Sequence, residues 1–569
     1  MIKLIQYVIH SFRIISSPKQ KKKAAWGLFF SSVQAVSDVI GLAAIVPVLM
    51  LAIDGNFLEK SSKLRVVYRL FNFNSEGQFL ISLIIIVLLF FTIKNIFAIW
   101  VQYYVKQNAA EVVARATKIK YRQFILKEYQ EIVDKGTPDF INLVMNIPYH
   151  YATGMLLPFM NFFSEALIIL LFCSFILYNP LVFFVVILVL TPAIYIINKS
   201  IKNQIVNLGK VSGELREEVL NELNLGINGI TEIKINKVSG YFIHKFVKKQ
   251  FAYAKNEMKS LTVQTIPSRL LEIVALLAVV ILVIYGFFFS TNPSEVRILG
   301  ALFVISIFRL IPAVNRVMVS MMNIKIYKYT ADELLKSAQN QREKSNPITF
   351  AKEINLKNIV YQYPGSDFPL INNINLALKT GEIVGLTGDS GSGKSTIVKI
   401  LLQLLKQKSG DIVIDGKVLT EKSELTWQQM IGYVGQQPYV LNGTIKENVG
   451  LAEEDADDEV IKNALSMAGL REYATEKMIR YKVGENGVKL SEGQKHRLAL
   501  ARVIYKGQKI IILDETTSAL DDKTEERVMN TLKNLAENQF CLLIIAHRKN
   551  VLDNCHRVYT LQNKELKET

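Results

Sequence analysis

The chain has 569 residues, with 67 Lys plus Arg against 50 Asp plus Glu, a formal net charge of +17 and 50% hydrophobic residues. That length exceeds one domain, and long apolar runs confined to the first half mark a membrane protein. The basic residues flank those runs as cytoplasmic loops do, which argues against a nucleic-acid partner, and the three scattered cysteines (Cys173, Cys541, Cys555) argue against a disulfide framework or a zinc site.

The opening MIKLIQYVIHSFRIISSPKQKKK has no small-residue cleavage site after its apolar part. It reads as an interfacial lead-in helix followed by a basic cytoplasmic anchor, Lys19–Lys23. Six apolar segments follow, at Ala24–Ile53, Phe79–Tyr103, Ala152–Leu177, Leu181–Asn198, Ile266–Phe289 and Ile298–Met322. Each is near the roughly 20 residues that a spanning helix needs. Asn179-Pro180 and Ser290–Ser294 make tight turns between the third and fourth and the fifth and sixth. Lys106–Tyr151 and Lys199–Gln264 are long, polar and of helical period, so they are expected as cytoplasmic extensions. Placing them inside puts Lys19–Lys23 inside as well and both tight turns outside.

The first outer loop, Asp54–Gly77, contains a helical pattern with Leu64, Val67, Tyr68 and Phe71 on one face and Arg65 and Arg69 on another. It is too short to span, and suits either the outer interface or an ordinary packed surface helix. Within the spans lie Lys94, Arg269, Arg309 and Arg316, with Glu165 and Glu272 as available acids. An ion at mid-bilayer costs several kcal/mol unless it meets a partner or a wet cavity. The excess of cations fits a cavity for an anionic group such as phosphate; structural pairs fit equally, with Arg269 and Glu272 at i, i+3 neutralising each other. Pro312, between Arg309 and Arg316, is expected to bend its helix.

The polar stretch Lys325–Asn346 marks a linker, and an α/β pattern starts near Ile348. The expected domains are a transmembrane domain at 1–335, a linker at 336–350 and a nucleotide-binding domain at 351–569. The decisive stretch is EIVGLTGDSGSGKST, Glu382–Thr396. An apolar strand breaks at Gly388, Gly391 and Gly393 keep the loop free of Cβ atoms, and an apolar helix follows: G-x-x-x-x-G-K-S in its required setting. Asp389, Ser390 and Ser392 complete the loop. Backbone N–H groups and the helix N-terminus at Lys394, Ser395 and Thr396 are suited to hold a polyphosphate. Lys394 is expected to reach the β- and γ-phosphates, and the Ser395 hydroxyl to sit on Mg²⁺. IIILDE, Ile510–Glu515, reads as a buried strand whose Asp514 suits Mg²⁺ and whose Glu515 is placed to polarise a water. This half should face a reducing compartment.

These motifs together make the chain resemble the ATP-binding-cassette (ABC) exporter half-transporters. The resemblance implies a type-1 exporter fold: an all-α six-helix membrane domain fused to an α/β P-loop ATPase. It implies ATP and Mg²⁺ as cofactors, with Gln436 as the Q-loop residue on Mg²⁺ and Tyr363 stacked on adenine. It also assigns Val483–Gly487 to the X-loop, with Glu485, and Ser518–Asp521 to the D-loop, with Glu515 and His547 catalytic. LSEGQ, Leu490–Gln494, resembles the signature, where Ser491, Gly493 and Gln494 cap the triphosphate of the opposite subunit. Two positions depart from the family pattern: Glu492 replaces the first signature Gly, and Gly435 stands where Pro often precedes the glutamine. The implied assembly is a homodimer in a bilayer, working by alternating access. Its coupling helices are expected near Leu126–Val133 and Ile233–Tyr241.

IFRLIPAVNRV (Ile307–Val317), the PSRLLE segment and the outer amphipathic helix further resemble the bacterial lipid-linked oligosaccharide flippases of the PglK type. That implies a bacterial cytoplasmic-membrane flippase in which Lys94, Arg269 and Arg309 meet a pyrophosphate and the Leu64–Phe71 face meets the isoprenoid. Arg316 has no assigned role within that set. A general lipid or multidrug exporter is the alternative, and an ATP-gated channel or sensor a second.

Overall fold

The computed structural model describes residues 2–53, 62–70, 73, 75–135, 137–176, 180–289, 293–336, 347–451, 453–516 and 522–569. The chain forms two compact units, Met1–Lys127 with Glu131–Asn340 and Glu128–Gln130 with Gln341–Thr569. Most of the linker expected at 336–350 falls outside the described residues, as do Asn179 and Ser290–Asn292 of the two tight turns.

Every element of regular secondary structure among the first unit's described residues is a helix. Helices Pro18–Ile53, Glu76–Ile125, Pro180–Asn228, Ser239–Phe289 and Pro293–Ile326, with the broken helical path Thr137–Ile176, contain the described parts of the expected spans. Among the described residues, Pro18–Ile45, Glu76–Ile125, Asp139–Leu171 and Ser239–Ile281 are long and apolar enough to cross a membrane. The chain is a multi-pass membrane protein.

Glu76–Ile125 alone has 50 residues, more than twice what a bilayer core requires, so its second half continues past the span as the expected extension. The tips carry short helices at Tyr129–Lys135 and Ile230–Ile235. The second starts three residues before the expected range Ile233–Tyr241 and ends six residues before its end. Lys237 takes a positive φ of 53° there, and Ser239 opens the next long helix.

Two π-helical turns, Asn142–Asn146 and Ala152–Leu156, interrupt the third span's approach. Each stops two residues before a proline, Pro148 and Pro158. A proline ring has no N–H and crowds the carbonyl four residues back, and the wider turn relieves that clash. The N-terminal helix Ile2–Ile15 buries Val8 and Ile15 with Val112, Ala331 and Leu334, so one face of the expected interfacial helix is committed to protein.

The second unit holds two sheets. The smaller is antiparallel, in the order β2 (Ile371–Lys379), β1 (Glu353–Tyr361), β4 (Ser409–Ile414), β5 (Lys417–Val418). The larger runs β10 (Glu565–Glu568), β9 (Arg557–Gln562), β3 (Ile383–Gly388), β8 (Cys541–Ile545), β7 (Ile510–Asp514), β6 (Ile431–Val434). It is parallel from β9 through β6. Every residue of β7 and β8 is buried, as an apolar run covered on both faces requires. Ile510 and Ile512 face one core, which includes Trp427 and the helix Lys394–Leu401. Ile511 and Leu513 face another, which includes the helix Glu492–Lys506.

That second helix crosses β6 closely. A Cβ on Gly432 would lie 2.2 Å from Cγ1 of Val503. Gly432→Ala is therefore expected to destabilise the C-terminal unit by about 1–3 kcal/mol, as overpacking does. Thermal unfolding of the full chain should show a lowered transition, and Val503→Ala should restore part of it.

Candidate functional site

Parallel pairing brings the C-terminal ends of four strands to one edge. Asp514 lies opposite Ile545, and Leu513 opposite Val434. The loop after β3, the acids ending β7, His547 just past β8 and Gln436 just past β6 therefore share the edge where parallel α/β sheets bind ligands.

The loop itself is shaped by its glycines. Gly388, Gly391 and Gly393 have φ of 148°, 79° and 112°, which L side chains rarely adopt. A Cβ on Gly388 would also sit 2.5 Å from the Leu561 carbonyl oxygen. Gly393 caps the helix Lys394–Leu401, whose first N–H groups have no acceptor within the helix. The Lys394 ammonium donates to the carbonyls of Gly388 (2.8 Å) and Asp389 (2.9 Å), which holds it across the loop. The Ser392 hydroxyl is buried without a partner, as expected of a group that bonds a phosphate oxygen. These residues fit a polyphosphate. Ser390 is exposed, Thr396 is buried in the following helix, and Tyr363, 40% exposed, stands edge-on to Tyr361 at 5.0 Å.

Glu515 is the centre of the edge. Its backbone is left-handed, at φ 53°, and its N–H donates to the Ile545 carbonyl at 3.1 Å. Gln436 Nε2 donates to Oε2 at 2.9 Å, and His547 Nε2 lies 3.2 Å from Oε1. Asp514 is buried, which pushes its carboxyl above the ordinary range; the Tyr433 hydroxyl, donating to it at 3.3 Å, opposes that shift and the Glu515 charge adds to it. Ser395, Gln436 and Asp514 supply oxygen donors of the hard type that Mg²⁺ prefers.

Ser491 caps the helix Glu492–Lys506. Its hydroxyl accepts from the Gln494 N–H at 3.3 Å, and the Gln494 side chain accepts from the Ser491 N–H at 3.0 Å. Gly493 is buried just behind. Glu492 is exposed, and Lys495 donates to it at 2.8 Å, holding its carboxyl below the usual range. The unusual acid thus carries its own counter-charge. The other departure also has a local reason, because a Cβ on Gly435 would meet the Tyr433 hydroxyl at 2.9 Å. Glu485 is exposed on a tight turn, and Ser518–Asp521 lie outside the described residues.

In the membrane unit, the cations expected to line one cavity each have a carboxylate of their own, where their side chains are described. Lys94 pairs with Asp38, both largely buried, and sits 4.7 Å from the centre of the Phe91 ring. Arg316 holds Glu165 through two nitrogens, and the exposed Arg269 meets Glu272 at 3.2 Å. The Arg309 side chain lies outside the described residues. In the outer helix Ser62–Leu70, Tyr68 packs edge-on against Phe79 at 5.4 Å, while Val66, Val67 and Leu70 are exposed. Of the expected face, Val67 is exposed and Tyr68 packs on protein; the side chain of Leu64 and all of Phe71 lie outside the described residues. Sequence reasoning missed Asp38, although an acid inside an apolar run was a readable signal. Tyr433 and Lys495 gave none.

A family model described as ABC transporter matches residues 371–518. Those residues are an ABC transporter ATPase domain, whose reaction is ATP hydrolysis. A solved bacterial Atm1-family ABC exporter with ATP bound superposes with a TM-score of 0.79 at 17% identity, covering 97% of this chain and 96% of that one. The fold is that of an ABC exporter. Among curated relatives, the ATP-dependent lipid A-core flippase of Escherichia coli (strain K12) is 28% identical over 390 residues, 67% of this chain and 66% of the flippase. The leukotoxin translocation ATP-binding protein LktB of Mannheimia glucosida is 35% identical over 218 residues, 38% of this chain and 31% of LktB. The chain thus matches just under two thirds of the flippase's length and under one third of LktB's.

Replacing Glu515 by Gln removes the carboxylate's charge but keeps the shape of the edge. Hydrolysis should fall by about 10²–10⁴-fold, the range for loss of a positioned general base, while ATP binding persists. Phosphate release and nucleotide binding on the full-length protein check both halves of that expectation.

Proposed function

We propose that this exporter hydrolyses ATP to flip a polyprenyl-pyrophosphate-linked oligosaccharide across a bacterial cytoplasmic membrane, as a homodimer working by alternating access. The observation that carries the ATP-driven part is Glu515, gripped by Gln436 and His547 beside a phosphate-shaped loop. The loop and Lys394 hold the triphosphate, Tyr363 stacks on the base, and Glu515 orients the attacking water while His547 steadies it. Ser395, Gln436 and Asp514 would hold Mg²⁺, which when bound would neutralise charge on the phosphate oxygens. The chain carries both a signature helix and a catalytic acid, so two copies complete two composite sites, with Ser491 of each capping the nucleotide of the other. The short helices Tyr129–Lys135 and Ile230–Ile235 pass the motion to the spans.

Support for the substrate class comes from the buried ammonium of Lys94. An anionic headgroup competes with Asp38 for it, whereas a neutral drug does not. Lysine offers a point charge instead of the two-pronged contact of arginine, so Arg269 and Arg309 supply the forked grip on pyrophosphate. The exposed Val66, Val67 and Leu70 suit an isoprenoid tail lying at the outer interface. A second reading, a lipid exporter indifferent to pyrophosphate, is favoured by the likeness to the lipid A-core flippase.

Reconstituted protein separates the two. ATP-driven flipping of a polyprenyl-pyrophosphate glycan should outpace that of the same lipid lacking the pyrophosphate, and equal rates would select the second reading. Lys94→Gln should slow flipping of the pyrophosphate lipid about tenfold, the effect of one lost hydrogen bond to a charged group. An unchanged rate would remove Lys94 from the substrate path.

A further inference from the structure

The helix Glu492–Lys506 buries a histidine that the nucleotide site has not used. His496 is 6% exposed and lies just over one turn behind Ser491. Its Nδ1 is 2.9 Å from the carbonyl oxygen of Glu492, and its Nε2 is 3.1 Å from the carbonyl oxygen of Gln436. Both partners are acceptors, so each contact is made only through a ring nitrogen that carries hydrogen. The first contact stays within the helix. The second spans 60 positions and fastens the helix to the loop that follows β6.

Gln436 therefore faces two ways. Its backbone is held by His496, and its side chain donates to Glu515 at 2.9 Å. Further along the helix, Arg502 donates to the carbonyls of Asn448 (2.9 Å) and Tyr439 (3.1 Å), which fixes the later part of the same loop. His496 alone among these contacts sets the end that bears Gln436. With its hydrogen on Nε2, His496 joins this helix to the backbone of Gln436, whose side chain donates to the Glu515 carboxylate.

We propose that His496 is a positioning residue for ATP hydrolysis, which makes the placement of Gln436 against Glu515 depend on the position of the signature helix. The inference rests on the composite-site reading above, in which Ser491 faces the opposite subunit's nucleotide while Glu515 serves its own. Engagement at one site then shifts the glutamine that orients the carboxylate of the other. The two sites are coupled within each subunit, not only across their contact.

Steady-state ATPase of the full-length protein tests this with two polar replacements. His496→Gln keeps an N–H at the reach of Nε2 and should hold kcat within about twofold of the starting protein. His496→Asn keeps an N–H only at the reach of Nδ1, and loss of one buried hydrogen bond should lower kcat about tenfold. KM for ATP should change little in either, because neither replacement touches the phosphate loop, and the Hill coefficient of the Asn variant should fall towards one. On a Gln436→Ala background, exchanging Asn for Gln at 496 should make no further difference. Equal kcat for the two variants, or an undiminished Asn effect on that background, overturns the proposal. Should the Asn variant not fold, His496→Gln remains decisive, since a large loss of kcat there overturns it equally. If the unsubstituted protein hydrolyses no ATP, the exporter reading itself fails. If it turns over while the variants behave alike, only the role of His496 is lost.

Discussion

A carboxylate held in a left-handed backbone at the end of a buried strand is the constraint around which the C-terminal unit is built. A φ of 53° at Glu515 costs of the order of 1–3 kcal/mol and persists only where the surroundings enforce it. Here they do. Its N–H is bonded to Ile545, and β7 is fixed between β6 and β8 with no exposed residue in β7 or β8. The strain turns the side chain outward at the sheet edge, where Gln436 and His547 take one oxygen each. A flexible strand would let the backbone relax and the carboxylate swing away, so the two apolar cores are what keep the acid in place.

The membrane unit handles charge in the opposite way. Among the described residues, Lys94, Arg269 and Arg316 are each neutralised by a separate acid, and the acids come from different places. Asp38 reaches Lys94 from another helix, and so does Glu165 to Arg316, while Glu272 serves Arg269 from the next turn of the same helix. A buried pair recovers its desolvation only when both charges remain, so removing Asp38 strands Lys94 far more severely than removing Glu272 strands the exposed Arg269. An arriving anion that replaces Asp38 keeps that balance, which is why a paired lysine is compatible with an anionic substrate.

The two halves were unequally legible in the sequence. Apolar length marked the spans, and the glycine spacing before Lys394 marked the phosphate loop, because both signals are local and each residue type has one physical reason to be there. Contacts between distant positions carried no such mark. Nothing in YVGQQ announces that the Tyr433 hydroxyl lies on Asp514, and nothing in GQKHR that His496 bonds the backbone of Gln436. The outer helix shows a third kind of limit. Tyr68, which the helical period puts on the apolar face, packs on Phe79, a residue outside the helix that the period cannot name. The second short helix ends early for a similar reason: the positive φ at Lys237 is a property of the turn, and lysine is not a residue that signals one.

The two departures from the ABC pattern then read as parts of the same architecture. Glu492 places a negative charge at the start of the helix that Ser491 caps, yet a helix N-terminus favours an acid and Lys495 sits one turn on to pair with it. The carboxylate is exposed and its charge is met on its own helix, leaving the Ser491 cap undisturbed. Gly435 answers a different need. Tyr433 must lie over the backbone to reach Asp514, and any side chain at 435 would push that ring away. The missing proline also leaves the segment before Gln436 less rigid, since glycine restricts the chain least. That segment lies where His496 Nε2 comes within 3.1 Å of the Gln436 carbonyl oxygen, so the contact from this helix bears on the same stretch of backbone.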